Sequence, residues 1–183
     1  MSRQSQTELA VLGALSVEPM TGYALRQAIT GTLGHFWSES FGQIYPTLAR
    51  LEAEGLIAPR AEGRTSGQVF ALTRTGRRRL VALLREPIAP APPRNGTLLR
   101  LFFADLLAPE DRRTLVEEAR DRAAESLARL AVLRAELEAE IASGADPGAP
   151  YRLMTLSAGE HAARAQVAWA QETLAELDRL APS

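Results

Sequence analysis

The sequence predicts a mainly α-helical protein built in two parts, and three observations carry that expectation. Apolar residues recur at helical spacing along most of the chain, and two short apolar runs flank a glycine-bounded turn at 63–67. Between the parts stand Pro87, Pro90, Pro92 and Pro93. Prolines at that density fit neither a helix interior nor a central strand, so 87–96 reads as a stiff, extended linker. It separates a first domain at 1–86 from a second at 97–183.

In the first domain the pattern is helix, helix, helix, hairpin, helix. Residues 7–16 carry Leu9, Leu12 and Leu15, and Pro19 stops any continuation. Residues 21–32 place Leu25, Ala28 and Ile29 on one face. A third helix has Ile44, Leu48 and Leu51 on one stripe, with Gly55 where a left-handed C-terminal residue is wanted. Ser40 and Gln43 have capping-box spacing at its start. Pro46 lies beyond the first turn counted from Ser40, so the helix either starts later or bends there. Residues 56–62 and 68–73 are expected to pair as a two-stranded wing, with Phe70 and Leu72 on one face. Thr73 then caps a fourth helix through 76–85.

The second domain reads as helical throughout. Residues 97–107 are short and strongly apolar (Leu98, Leu99, Leu101, Phe102, Phe103, Leu106, Leu107). Pro109 opens a long helix to about 142, with Val116, Ala123, Leu130 and Leu137 recurring along it. A Gly/Pro loop at 143–150 leads to a last helix at 151–180, striped by Leu153, Leu156, Ala163, Val167, Ala170, Leu174 and Leu177. Such a stripe on so long a helix packs against another helix. This half is too small to cover three apolar helices, so a homodimer through the C-terminal helices is expected.

Composition narrows the function. The 183 residues are 46% hydrophobic and 23% charged, enough to bury a real core. There is no cysteine, which excludes disulfides, thiolate zinc sites and a cysteine nucleophile. All 21 basic residues are arginine, as a GC-rich genome would give. Neither a signal peptide at 1–15 nor a membrane span is expected, which places the chain in the cytoplasm. The net charge of −1 hides an asymmetry: residues 1–94 hold 11 Arg against 7 acids, and 95–183 hold 10 against 15. Only the first half is therefore expected to meet a polyanion. No Gly-rich phosphate loop or Ser/His/Asp set stands out, and His35 and His161 lie in different halves. No enzyme activity, metal or cofactor is expected.

Three helices followed by a two-stranded ribbon is the layout of a winged helix-turn-helix, whose third helix enters the DNA major groove. With Ile44, Leu48 and Leu51 inward, a rotation of roughly 100° per residue is expected to gather Gln43, Pro46, Thr47, Arg50 and Glu54 outside. Gln pairs with adenine, Arg with guanine, and Thr offers a hydroxyl and a methyl. The same spacing also suits an ordinary solvated face. Arg64, Thr65 and Ser66 at the wing tip suit phosphate contact, or simply a polar turn. Arg77, Arg78 and Arg79 point in different directions and are expected on a solvated face.

The stretches Met20-Thr21-Gly22-Tyr23, Phe36-Trp37, Gly42-Gln43-Ile44-Tyr45-Pro46-Thr47-Leu48, Leu51-Glu52-Ala53-Glu54-Gly55-Leu56-Ile57 and Leu72-Thr73-Arg74-Thr75-Gly76 resemble the PadR family of transcriptional regulators. Tyr151-Arg152-Leu153 through Gly159, with Val167-Ala168-Trp169, is similar to the helical C-terminal domain of its longer members. The resemblance implies a homodimeric repressor on an inverted repeat in double-stranded DNA, released in some relatives by a small aromatic or drug-like molecule. Gln43, Tyr45 and Pro46 match recognition-helix positions, Arg50 sits where relatives often have Lys or Arg, and the Arg64 region matches the wing. That wing carries one Arg where many relatives carry several. Tyr23 matches a position that can reach a phosphate, and equally suits a core aromatic with a polar tip. Phe36 and Trp37 are expected to pack. Trp169, with Phe102, Phe103, Tyr151 or Met154, is expected either in the dimer core or in an effector pocket at the dimer interface. The alternative is a helical interaction or ligand-sensing module whose winged domain no longer binds DNA.

Overall fold

Helix α1 (Arg3–Val17) lays Val11, Leu12 and Leu15 into the core of the first of two units, Met1–Ala91 and Pro92–Ser183. The computed structural model describes residues 3–33, 37, 41–60, 67–88, 94–144 and 146–180. After α1 come β1 (Met20–Thr21), α2 (Gly22–Ala28), a π-helical turn (Ile29–Leu33), α3 (Phe41–Ala53), β2 (Ile57–Arg60), β3 (Val69–Leu72) and α4 (Arg74–Leu84). Leu25 of α2, Ile44, Leu48 and Leu51 of α3, Ile57 of β2 and Leu80 and Leu83 of α4 join that core, with Met20, Ile29 and Leu56. Trp37 packs against it, as its aromatic character predicted.

The expected two-stranded wing forms as β2 and β3, and β1 joins it as a third strand. The antiparallel order of the sheet is β1-β3-β2, with Met20 opposite Phe70, and Ile57 opposite Leu72 on the other side. Two residues are too few for a period-two pattern to show, which is why β1 escapes detection in the sequence. Pro59 falls on the edge strand, where a missing N–H is tolerated.

Helix α2 is shorter than the predicted 21–32. Thr21 caps it, accepting from the Ala24 N–H at 3.1 Å. It then widens into the π turn at Ile29, where Thr30 Oγ1 bonds back to the Arg26 carbonyl at 2.9 Å. Such back-bonding bends helices, and Thr30, Gly31 and Thr32 are poor helix formers. Helix α3 begins at Phe41, so Pro46 sits inside it and leaves the Gly42 carbonyl without its usual donor. The proposed capping residue Ser40 lies outside the described residues.

The end of α3 follows the prediction. Gly55 is left-handed (φ 68°), its N–H bonds Glu52 O at 2.9 Å, and Leu56 N–H bonds Leu51 O at 2.9 Å. That is a Schellman motif, with Leu51 and Leu56 both buried in the core. Thr73 fastens α4 to the same place. Its hydroxyl donates to Gly55 O at 2.8 Å and accepts from the Gly76 N–H at 3.0 Å, while its own N–H bonds Leu56 O at 3.1 Å. Gly76 allows this: a Cβ there would lie 2.0 Å from Leu56 O.

In the second unit, Asn95 caps α5 (Gly96–Phe102) through the Leu98 N–H at 3.0 Å. The helix stops earlier than 107, and a 3-10 turn (Ala104–Leu106) follows. Arg112 holds that turn by donating to Leu107 O and Asp105 O. Helix α6 (Pro109–Ser143) starts with proline at its first position and two acids, Glu110 and Asp111, beside the positive end of its dipole. Gly144 ends it at φ 65°.

Helix α7 (Ala149–Leu180) returns antiparallel to α6. Leu115, Val116, Ala119, Ala123 and Leu130 are buried on α6, and Leu156, Ala163, Ala170 and Leu174 on α7. Alanine at the contact lets the helix axes come close. Arg113 with Asp178, Arg134 with Glu160 and Arg152 with Glu140 bridge the pair along its length in one register. Glu160 is buried, and Arg134 grips both its oxygens at 2.9 and 2.8 Å while Arg164 adds a third bond at 3.2 Å. The bonds from Arg134, working against burial and reinforced by the charges of Arg134 and Arg164, hold its carboxyl below the ordinary carboxylate range.

Two outcomes follow for stability. Gly76→Ala should lower the urea midpoint by the equivalent of about 1–3 kcal/mol, because backbone at Leu56 blocks the new methyl. Gly13→Ala, on α1 with nothing within 4 Å of the new atom, should raise it by about 0.5–1 kcal/mol. Because the folded pKa of Glu160 is depressed, its contribution is full above its unfolded value of about 4.3 and is lost as pH falls through the folded one. The stability deficit of Glu160→Gln should therefore be constant above about pH 5 and shrink below about pH 4. Urea titrations across that range measure it.

Candidate nucleic-acid interface

Helix α3 turns Gly42, Gln43, Tyr45, Pro46 and Ala49 to solvent while Ile44, Thr47, Leu48 and Leu51 face the core. Three of the expected reading residues, Gln43, Tyr45 and Pro46, thus share an exposed side. Thr47 does not: it is only 7% exposed. The correction is geometric, since three residues past Ile44 amount to roughly 300° of rotation, about 60° from the apolar stripe. Glu54, just past the end of α3, is exposed.

Tyr45 is placed by α2. Its ring lies over Gly22, where a Cβ would come within 2.8 Å of Tyr45 Cε1. The glycine beside Tyr23 therefore makes room for the ring on α3. Tyr23 is itself exposed, and its hydroxyl accepts from Gln27 Nε2 at 2.9 Å. The wing-tip residues Arg64, Thr65 and Ser66 lie outside the described residues, as do Phe36 and His35.

Arg50 is not a free cation. Its Nη1 donates to both oxygens of Glu54 at 3.0 and 3.1 Å, and its Nη2 to Glu8 Oε2 at 3.1 Å. Partial burial works against its charge, yet the bonds to Glu54 and Glu8 outweigh it and raise its pKa above the ordinary value. Glu8, 6% exposed, uses its other oxygen for Arg79 Nε at 2.7 Å. Arg79 thus turns inward, while Arg74, Arg77 and Arg78 are exposed on α4. Glu8 is a residue behind this face that sequence reasoning misses. A signal was present: Glu8 falls on the stripe of Val11, Leu12 and Leu15, where an acid is out of place unless something answers it.

In the second unit the four candidate effector residues do not converge within one chain. Trp169 is half-buried against Val116, Ala170 and Leu174, together with Leu101. Phe102 and Phe103 stack edge to face at 5.0 Å, and Phe102 is 81% exposed. Tyr151, 70% exposed, lies on α7 eighteen residues before Trp169, roughly 27 Å along an unbroken helix. Leu98 and Leu99 are exposed as well, as is Leu106 in the turn that follows, so α5 presents an uncovered apolar face.

An α3 bare on one side, between a capped α2 and a short antiparallel sheet, defines a winged-helix protein. Residues 11–82 match the transcriptional regulator PadR-like family, and 93–178 match the virulence activator alpha C-terminal family. The chain is 28% identical over 179 residues to the negative transcriptional regulator PadR of Bacillus subtilis, spanning 93% of this chain and 96% of that protein. The crystal structure of the PadR-like transcriptional regulator BC1756 from Bacillus cereus superposes with a TM-score of 0.81 at 23% identity, over 96% and 99% of the two chains. That likeness concerns the fold. Bacillus subtilis PadR in complex with operator DNA superposes with a TM-score of 0.76 at 25% identity, over 93% and 98%. The same protein with p-coumaric acid gives 0.73 at 25%, over 97% and 98%. The chain thus carries a PadR-like domain at 11–82, in a family of transcriptional regulators and not of enzymes. No described helix is long and apolar enough to cross a membrane.

Proposed function

We propose that this regulator is a dimeric repressor that binds an inverted repeat in double-stranded DNA and leaves it when a small aromatic ligand binds, acting in the cytoplasm on chromosomal DNA. The observation that carries the reading is the exposed side of α3, where Gln43, Tyr45 and Pro46 stand clear of the core beside Tyr23. Gln43 offers a bidentate amide to an adenine edge. Gly42 and Pro46 are small, so the start of α3 can lie deep in a groove. Gln27 donates into the Tyr23 oxygen, which leaves the phenolic proton for a phosphate. Arg64, Thr65 and Ser66 take the neighbouring backbone. Bacillus subtilis PadR, similar over nearly the whole chain, is seen with operator DNA and with p-coumaric acid.

The domains divide the work: 1–86 binds DNA, 87–96 links, and 97–183 dimerises and senses. The uncovered apolar face of α5 supports a second copy as its cover. A dimer would set two α3 helices about 34–36 Å apart on successive major grooves. Trp169, Phe102 and Phe103 are the aromatic groups proposed to meet the effector; Tyr151 lies too far along α7 to join them within one chain.

Gel shifts on the chain's own promoter fragment should show a complex whose affinity falls steeply with salt. Gln43→Ala should weaken it by about 1–3 kcal/mol and relax discrimination at one base pair. No shift at low salt would favour the interaction or sensing module with an inactive wing. Phe102→Arg should convert the dimer to a monomer in sedimentation and cut operator affinity at least tenfold; a variant that stays dimeric would exclude α5 from the interface.

A further inference from the structure

The ion pairs Glu54–Arg50–Glu8–Arg79–Glu86 run in one alternating row across α3, α1 and α4. Glu8 stands at its centre and is its one buried member. Its carboxylate is shared by two guanidinium groups that come from two different helices. We infer that Glu8 and Arg50 form a strut that sets the C-terminal half of α3, so that Arg50 positions the recognition helix and contacts no base. This rests on the DNA-binding role proposed above.

Three features support it. The two terminal nitrogens of Arg50 already hold Glu54 and Glu8, and a guanine edge would need the same fork. Swinging Arg50 into a groove would leave the buried Glu8 carboxylate with Arg79 alone, and a buried charge that loses a partner is strongly disfavoured. Arg50 also masks Glu54, whose unpaired charge would face the phosphates of DNA docked on α3. A lysine could not do this, because a single ammonium does not span two carboxylates with a fixed fork. The sequence expectation that Arg50 reads a base is replaced by one in which Gln43 reads and Arg50 braces.

The test uses the full chain with Glu8→Gln, Arg50→Ala, Arg50→Lys and the double variant Glu8→Gln/Arg50→Ala. Operator affinity, its salt slope and discrimination at each base pair are measured beside urea unfolding. The strut predicts that each single variant binds about tenfold more weakly and that the double is no weaker than the worse single. It predicts an unchanged salt slope, retained discrimination at every base pair, no rescue by Arg50→Lys, and non-additive unfolding. A salt slope reduced by about one in Arg50→Ala, with recovery in Arg50→Lys, would reveal a phosphate contact and overturn it. Relaxed discrimination at a single base pair in Arg50→Ala, with Glu8→Gln binding as tightly as wild type, would reveal base reading and overturn it equally. Additive unfolding overturns the strut whatever happens on DNA. A wild-type chain that shifts no DNA would overturn the binding reading and the role given to the strut in it, while non-additive unfolding would still establish the strut. Should Glu8→Gln unfold, the comparison of Arg50→Ala with Arg50→Lys still separates bracing from contact.

Discussion

The first unit is organised around a carboxylate held away from water. Glu8 replaces what would be an apolar residue on the inner stripe of α1, and its charge is tolerable there only because arginines from α3 and α4 reach it. The demand runs in both directions. Helices α3 and α4 must stand where their guanidinium groups can meet one small group on α1, which fixes their rotation more narrowly than apolar packing does. The second unit repeats the device with Glu160, answered by Arg134 and Arg164. A chain without lysine is suited to it, since a planar fork can hold one carboxylate with two nitrogens or divide itself between two acids.

The other determinant of the interface is the joint between α3 and α4. The Schellman turn at Gly55, the Thr73 hydroxyl and the bare backbone of Gly76 converge on the carbonyls of Gly55 and Leu56. Helix α3 therefore ends at the point where α4 begins, with the hairpin leaving from between them. At the other end of α3, Gly22 lets Tyr45 lie across α2. Three glycines and a threonine thus decide how the helix that carries Gln43 is presented. These are also residues of the family pattern, and their contacts supply its physical reason.

Much of this is legible in the sequence. The long helices α6 and α7, the Gly55 terminus of α3 and the Thr73 cap all announce themselves through periodicity and local chemistry. Strand β1 does not, because a two-residue strand is defined by its partner Phe70 and not by its own pattern. Thr47 is polar, yet it lies about 60° from Ile44 around the helix and is buried with it. Arg50 illustrates a different limit: its outward angle on the helix is real, but the buried acid that engages it lies 42 residues away in sequence. Such a partner can be suspected only from the other end, by asking why Glu8 interrupts an apolar stripe. The separation of Tyr151 from Trp169 follows from the continuity of α7, which the sequence pattern already contained.

The single register of the α6–α7 pair has a mechanical meaning. Helix α6 has 35 residues, so it is roughly 50 Å long. Arg113, Arg134 and Arg152 pin the pair near both ends and toward the middle. Sliding one helix past the other by a turn would break all three bridges at once and strand Glu160 among apolar side chains. The pair is thereby stiff against shear, as a laminated beam is once its layers are bonded. A push applied at one end of this hairpin is delivered at the other as tilt or rotation of the whole beam, and is not absorbed by slip between its layers.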